Sequence, residues 1–199
     1  MLKIGITGGI GSGKTTICKL FQMQNIPVFY ADQQAKAIMQ TDTHLIEDLK
    51  VEFGHEVYSQ QGLLNRSKLA ELVFNDEIKL KKLNSLVHPA VFRAFDVWVK
   101  QQHATYVLKE AALLFESGSN KDCDYVVLVK SPQDLKVKRI IERDTISEAD
   151  VLKRMNKQLS DEEKENKSDF IIYNDEKQML ISQVLKLHEI FLKLAVKVK

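Results

Sequence analysis

The stretch Gly8-Gly-Ile-Gly-Ser-Gly-Lys-Thr15 constrains this chain more than any other feature. It fits G-x-x-x-x-G-K-[ST] in full, a loop whose backbone wraps a phosphate group. Residues 2–7 form a short apolar run ended by glycines and predict a buried strand. Residues 15–23 predict a helix, with Ile17, Leu20 and Phe21 on one face. Between them, glycines let the backbone bend so that N–H groups turn inward. The candidate phosphate ligands are Gly9, Ile10, Gly11, Ser12, Gly13, Lys14, Thr15 and Thr16. The positive end of the following helix adds to the attraction. Lys14 is expected to reach the β- and γ-phosphates, and Thr15 to place its hydroxyl on Mg2+. A dinucleotide fingerprint starting at Gly9 would need glycine at position 14, where Lys14 stands.

The rest of the chain supplies the elements such a loop belongs to. Residues 27–30 predict a second strand, with Asp32 just past it. From there to about residue 99 the pattern is helical and polar, with no clear strand. Residues 106–108 and 125–129 predict strands, and residues 170–173 a last one. Ser131-Pro132 with Asp134 predicts a helix start, with Ser131 as the cap and the helix running to Arg143. Residues 144–169 predict helices with a mobile connection. Leu180, Val184, Leu187, Phe191, Leu194 and Val198 recur at helical spacing and predict a long amphipathic helix. Strands alternating with helices imply an α/β fold, a parallel sheet flanked by helices on both faces. The helical stretch after the second strand is the natural substrate lobe.

Lys and Arg total 29 against 27 Asp and Glu, which argues against a general nucleic-acid or membrane-binding surface. The two cysteines, Cys18 and Cys123, show no metal-ligand spacing and fit reduced thiols. No leader pattern and no run of about 20 apolar residues is present, so the expected location is cytoplasmic.

A phosphate loop alone serves an ATPase, a switch or a kinase. A kinase for a hydroxyl acceptor gains from a carboxylate beside the γ-phosphate. Asp32 is the candidate, since ligands of open α/β sheets bind at strand C-terminal ends, but an Asp there also suits a helix cap. Arg139 and Arg143, four apart, share one helix face, as do Arg154 and Gln158. They are either cations for the transferring phosphoryl group or solvated surface. Glu110, after the third strand, is a candidate outer carboxylate for magnesium. His88-Pro89 reads as a helix start or packing feature, and Trp98 as core. Asn166-Lys-Ser-Asp169 matches N-K-x-D, a guanine-reading motif, but a polar run precedes it and no D-x-x-G accompanies it.

Together these residues resemble the dephospho-coenzyme A kinase family over essentially the whole length. The signatures are "GITGGIGSGKTT", "VFYAD" ending at Asp32, "LLNRSKLAELVF", "LNSLVHPAV", "ALLFES", "DLKVKRIIERD", "RMNKQ" and "DFIIYND". The resemblance implies a P-loop kinase that moves the γ-phosphate of ATP to the 3′-hydroxyl of dephospho-CoA, the last step of coenzyme A synthesis. It implies one domain over 1–199: core 1–33, 104–140 and 169–199, a helical CoA lobe at about 34–103, and a helical lid at about 141–168. It assigns catalysis to Asp32, Lys14 and Arg139, further ATP contacts to Arg143 and Asn174, and substrate contacts to Asp32, Arg66, His88 and Arg139. Thr15, from the loop motif, and Glu110, from its place after the third strand, remain the metal candidates. ATP and dephospho-CoA are the implied small-molecule partners, with no nucleic acid, membrane or obligatory protein partner. The alternatives are a kinase for another small acceptor, such as a nucleoside monophosphate, or a nucleotide-binding switch. Two positions depart from the family pattern: Tyr30 stands where D-A-D begins, and Ala112 where a proline is usual.

Overall fold

A computed structural model describes residues 1–74 and 76–197. They fall into two compact units, residues 1–30 with 101–199, and residues 31–100.

The first unit is built on a five-stranded sheet. The strands are β1 (Leu2–Thr7), β2 (Val28–Tyr30), β3 (Tyr106–Glu110), β4 (Tyr125–Lys130) and β5 (Phe170–Tyr173), in the order β2-β3-β1-β4-β5. Every pairing is parallel. The strands read as nearly unbroken apolar runs because side chains on both faces are buried. On one face Leu2, Ile4 and Ile6 alternate with residues that point the other way. They meet Tyr106, Leu108, Val127, Val129 and Ile172 from neighbouring strands. Helices α1 (Lys14–Gln22) and α9 (Leu180–Lys197) cover this face through Ile17, Cys18, Phe21, Val184, Leu187 and Phe191. The rings of Phe21, Tyr106 and Phe170 surround Phe191 at centroid distances of 5.4 to 6.2 Å. On the opposite face Gly5 packs against Leu114 and Cys123.

Helices α6 (Gln133–Asp144), α7 (Glu148–Met155) and α8 (Asp161–Glu165) complete this unit. Val137, Ile140 and Val151 join α6 and α7 in a small core of their own. The predicted cap of α6 is displaced: Pro132 takes the cap position, and the Ser131 hydroxyl donates to the Asn174 carbonyl instead. α9 follows the predicted spacing, with Val184, Leu187, Phe191 and Ala195 buried, while Val198 lies outside the described residues.

The second unit is helical: α2 (Ala31–Thr41), α3 (Thr43–Phe53), α4 (Arg66–Phe74) and α5 (Glu77–Lys100). Asp42 caps α3 by accepting from the Leu45 N–H at 3.1 Å. Gln40 ties down the following loop, donating to the Gly62 carbonyl and accepting from the Leu64 N–H. His88-Pro89 does not start a helix: it lies inside α5, where Pro89 leaves the carbonyl four residues back without its helical partner. Trp98 is half-buried and stacks on Phe95.

Phe191→Ala should lower unfolding free energy by about 3–5 kcal/mol, read from the urea midpoint. Burial raises both thiols far above their usual range, Cys123 to about 12. At mildly alkaline pH the folded chain should therefore not react with a thiol reagent, whereas the chain in guanidinium should titrate both cysteines.

Candidate functional site

The phosphate loop runs from the C-terminal end of β1, the central strand, into α1. Its shape comes from short backbone bonds: Ser12 N–H to the Gly9 carbonyl at 3.1 Å, and Thr16 N–H to the Gly13 carbonyl at 3.0 Å. Gly13 enters α1 in the left-handed conformation, with φ of 91°. A side chain there would also collide with Asn174 Nδ2. That nitrogen donates to the Ser12 carbonyl at 2.8 Å, so the segment after β5 braces the loop from behind. Gly11, at φ of 81°, is equally confined, since a β-carbon would stand 2.6 Å from the Lys136 carbonyl of α6.

Lys14 is buried, and its ammonium donates to the Gly8 carbonyl at 3.0 Å and the Gly9 carbonyl at 3.4 Å. Thr15 and Thr16 are exposed. Thr7 Oγ1 and Ser12 Oγ are buried without a hydrogen-bond partner among the described residues. Buried hydroxyls are ordinarily hydrogen-bonded, so these two, at the two ends of the turn that leaves β1, stand out. Glu110 is buried at the end of β3, in register with Ile6 of β1 and Tyr30 of β2. Beside it, burial pushes the Tyr30 phenol up to about 12, with Cys18 and Glu110 adding to the shift. The phenol donates to Gln22 Oε1 at 3.0 Å.

The two α6 arginines part company. Arg139 donates to Ser131 Oγ at 3.0 Å, to Asn174 Oδ1 at 3.4 Å and to Glu176 at 3.0 Å, which puts it in the network that braces the loop. Arg143 forms a two-pronged bond with its neighbour Asp144 at 2.7 and 3.0 Å, on a side chain 62% exposed. Arg154 shares that carboxylate at 3.0 Å, and Arg143 holds it below the usual aspartate range.

In the helical unit, Asp32 is exposed in the first turn of α2, and Arg66 is exposed at the start of α4. His88 is half-buried against the Phe92 ring, and burial lowers its pKa, favouring neutral imidazole.

Several contacts at the loop escaped the sequence. Gln158 Oε1 accepts from the Ile10 N–H at 2.9 Å, and its amide nitrogen reaches the Ala112 carbonyl at 3.5 Å. Lys136 and Asp161 pair at 2.5 Å beside Gly9. One local signal was available: Ser160 and Glu163 form a capping box, which fixes the start of α8 and so places Asp161. The N-K-x-D match has a structural use. Asp169 accepts from the Val126 N–H at 2.7 Å and returns its own N–H to the Val126 carbonyl, so its carboxylate aligns β5 with β4.

Similarity to known proteins follows the same outline. The sequence model of the dephospho-CoA kinases matches residues 2–179. A dephospho-CoA kinase of Bacteroides fragilis is 36% identical over 187 residues, covering 94% of this chain and 91% of that protein. One from Salinibacter ruber is 38% identical over 179 residues, covering 88% and 89%. Among solved structures, a Thermus thermophilus protein superposes with a TM-score of 0.84 at 33% identity, over 94% of this chain and 96% of that one. A dephospho-CoA kinase from Campylobacter jejuni gives 0.69 at 26% identity, over 96% and 97%. A shikimate kinase from Bacteroides thetaiotaomicron shares the fold, with a TM-score of 0.53 at 16% identity over 95% and 97%. With its phosphate loop intact at the end of the central strand, the chain belongs to the dephospho-CoA kinase family.

Proposed function

We infer that this protein transfers the γ-phosphoryl group of ATP to the 3′-hydroxyl of the dephospho-CoA ribose, giving coenzyme A and ADP. The observation that carries the reading is the complete phosphate loop, braced by Asn174 and holding a buried Lys14, in a chain of this family. The loop's N–H groups bind the phosphates, and Lys14 exchanges its carbonyl contacts for β- and γ-oxygens. Arg139, anchored beside Asn174, is assigned to the same nucleotide end, and Arg143 and Asn174 are assigned to ATP binding. Asp32 takes the 3′-hydroxyl proton as the oxygen attacks phosphorus and ADP departs. Arg66 and His88, on the helical unit, are assigned to dephospho-CoA. Residues at about 34–103 serve as the acceptor lobe, and residues at about 141–168 as the lid.

The donors near the loop suit magnesium: the Thr15 hydroxyl and Glu110 carboxylate are hard oxygen ligands, few enough for an ion that keeps waters and phosphate oxygens. When bound there, Mg2+ would neutralise charge on the β- and γ-phosphates. Among the described residues no helix is long and apolar enough to cross a membrane, and both cysteines are free. These support a cytoplasmic enzyme acting on small molecules.

The direct test follows ADP release from ATP and Mg2+ with dephospho-CoA, with adenosine monophosphate, and with neither. Equal amounts of ADP and coenzyme A, formed only with dephospho-CoA, are expected. Release with the monophosphate alone would reassign the acceptor, and GTP turnover without either would favour a switch. Asp32→Asn should cut kcat by about two to four decades while leaving ATP affinity nearly unchanged. Chelation of the divalent ion should abolish turnover, and added Mg2+ should restore it.

A further inference from the structure

Lys136 is a lysine that none of the assignments above uses, and its setting is unusual. It lies in the first turn of α6 with its side chain only 6% exposed. Its ammonium meets Asp161 at 2.5 Å, and this ion pair lies directly over the phosphate loop. A β-carbon on Gly9 would stand 3.3 Å from both Lys136 Nζ and Asp161 Oδ1. The Lys136 carbonyl and the Ile140 side chain are close to Gly11, so α6 meets the loop at Lys136 and Ile140. A pocket of about 480 Å³ opens at the same point, lined by Gly9, Lys136, Gln158, Ser160 and Asp161 among others. That volume accommodates a phosphoryl group with room to spare.

Three considerations give this pair a chemical role. A buried ion pair is a weak stabiliser, because desolvating both charges offsets most of their attraction. The pair also stands at Gly9, whose carbonyl Lys14 touches, and Lys14 is the group that reaches the β- and γ-phosphates. Last, neither α6 arginine shares that position: Arg139 is tied to Ser131, Asn174 and Glu176, and Arg143 to Asp144 at the surface.

We propose that Lys136 is a second lysine for the terminal phosphate of the nucleotide, and that Asp161 is the carboxylate that holds its ammonium until a triphosphate arrives. A γ-phosphate carries more charge than one carboxylate and offers three oxygens, so it displaces Asp161 from Lys136. The ammonium then stands beside the oxygens on which charge develops during transfer. Repelled by the same phosphate, Asp161 carries α8 and the neighbouring Gln158 away from the loop. Selection for a triphosphate over a diphosphate is thus written into α6 and α8 as well as into the loop.

This inference rests on ATP being the phosphoryl donor, and the experiment separates the two. Affinities for β,γ-imido-ATP and for ADP are measured on the wild type, Lys136→Met, Lys136→Arg and Asp161→Asn, together with kcat, KM and melting temperature. Lys136→Met should lose about tenfold or more in affinity for the triphosphate analogue with ADP affinity held within about twofold, and about a hundredfold in kcat. Lys136→Arg should recover most of both. Asp161→Asn removes the competing carboxylate, so it should bind the analogue more tightly and gain more melting temperature from it than the wild type does. If Lys136→Met fails to fold, the Asp161→Asn comparison decides alone. Equal losses of melting temperature in both variants, with the wild-type ratio of analogue to ADP affinity kept, would overturn the proposal and leave a structural ion pair. A wild type that binds no triphosphate would overturn the kinase reading itself.

Discussion

The hydrogen bond from Asn174 to the Ser12 carbonyl holds the site in shape. A phosphate loop works by aiming several N–H groups at one point, and each has to stay bent inward without a ligand to hold it. Here the bend is fixed from outside, by a side chain arriving from the far end of the sheet. Asn174 is itself fixed on three sides: its N–H bonds Lys130, its carbonyl accepts from Ser131, and its side-chain oxygen accepts from Arg139. Networks of this kind are stiff because each bond polarises the next. Glycine at position 13 is then required twice, by backbone conformation and by the room Asn174 occupies.

Buried charge joins further segments of the first unit. Lys109, Lys136 and Lys164 are all buried, and each faces one carboxylate: Asp122, Asp161 and Glu116. The Lys164–Glu116 pair, at 3.4 Å, is close enough for attraction but not aligned as a hydrogen bond, whereas the other two pairs are. Glu116 also accepts from the Leu159 N–H at 2.9 Å, so the loop after β3 is tethered to the connection before α8. Each pair ties together segments far apart in the chain, by 13, 25 and 48 residues.

The sequence made the strand–loop–helix start legible because that information is local: Leu2, Ile4 and Ile6 in alternation, a spaced set of glycines, Lys14 and Thr15. The five strands and the amphipathic face of α9 were legible for the same reason, since period and composition suffice. What stayed hidden depends on partners far along the chain. Ser131 looks like a cap by its neighbours, yet its hydroxyl is claimed by the Asn174 carbonyl, 43 residues away. Gln158 reaches Ile10 across 148 residues, a relation no spacing rule contains. His88-Pro89 carries the local mark of a helix start, and tertiary packing of α5 through Val87, Ala90, Val91 and Phe95 overrides it. Asp169 is the converse case: the tetrapeptide looks functional, its context argued against that reading, and its acid serves strand pairing.

The brace on the loop also has a consequence for the timing of assembly. Residues 8–13 are synthesised about 162 residues ahead of the side chain that holds them in place. β1 cannot be flanked on both sides until β3 and β4 have followed it out. The phosphate-loop motif is therefore encoded early and its brace completed late. A nascent or prematurely terminated chain lacking β5 and Asn174 would carry every residue of the phosphate motif and still lack its brace. The shape of the loop thus depends on contacts that span nearly the whole polypeptide.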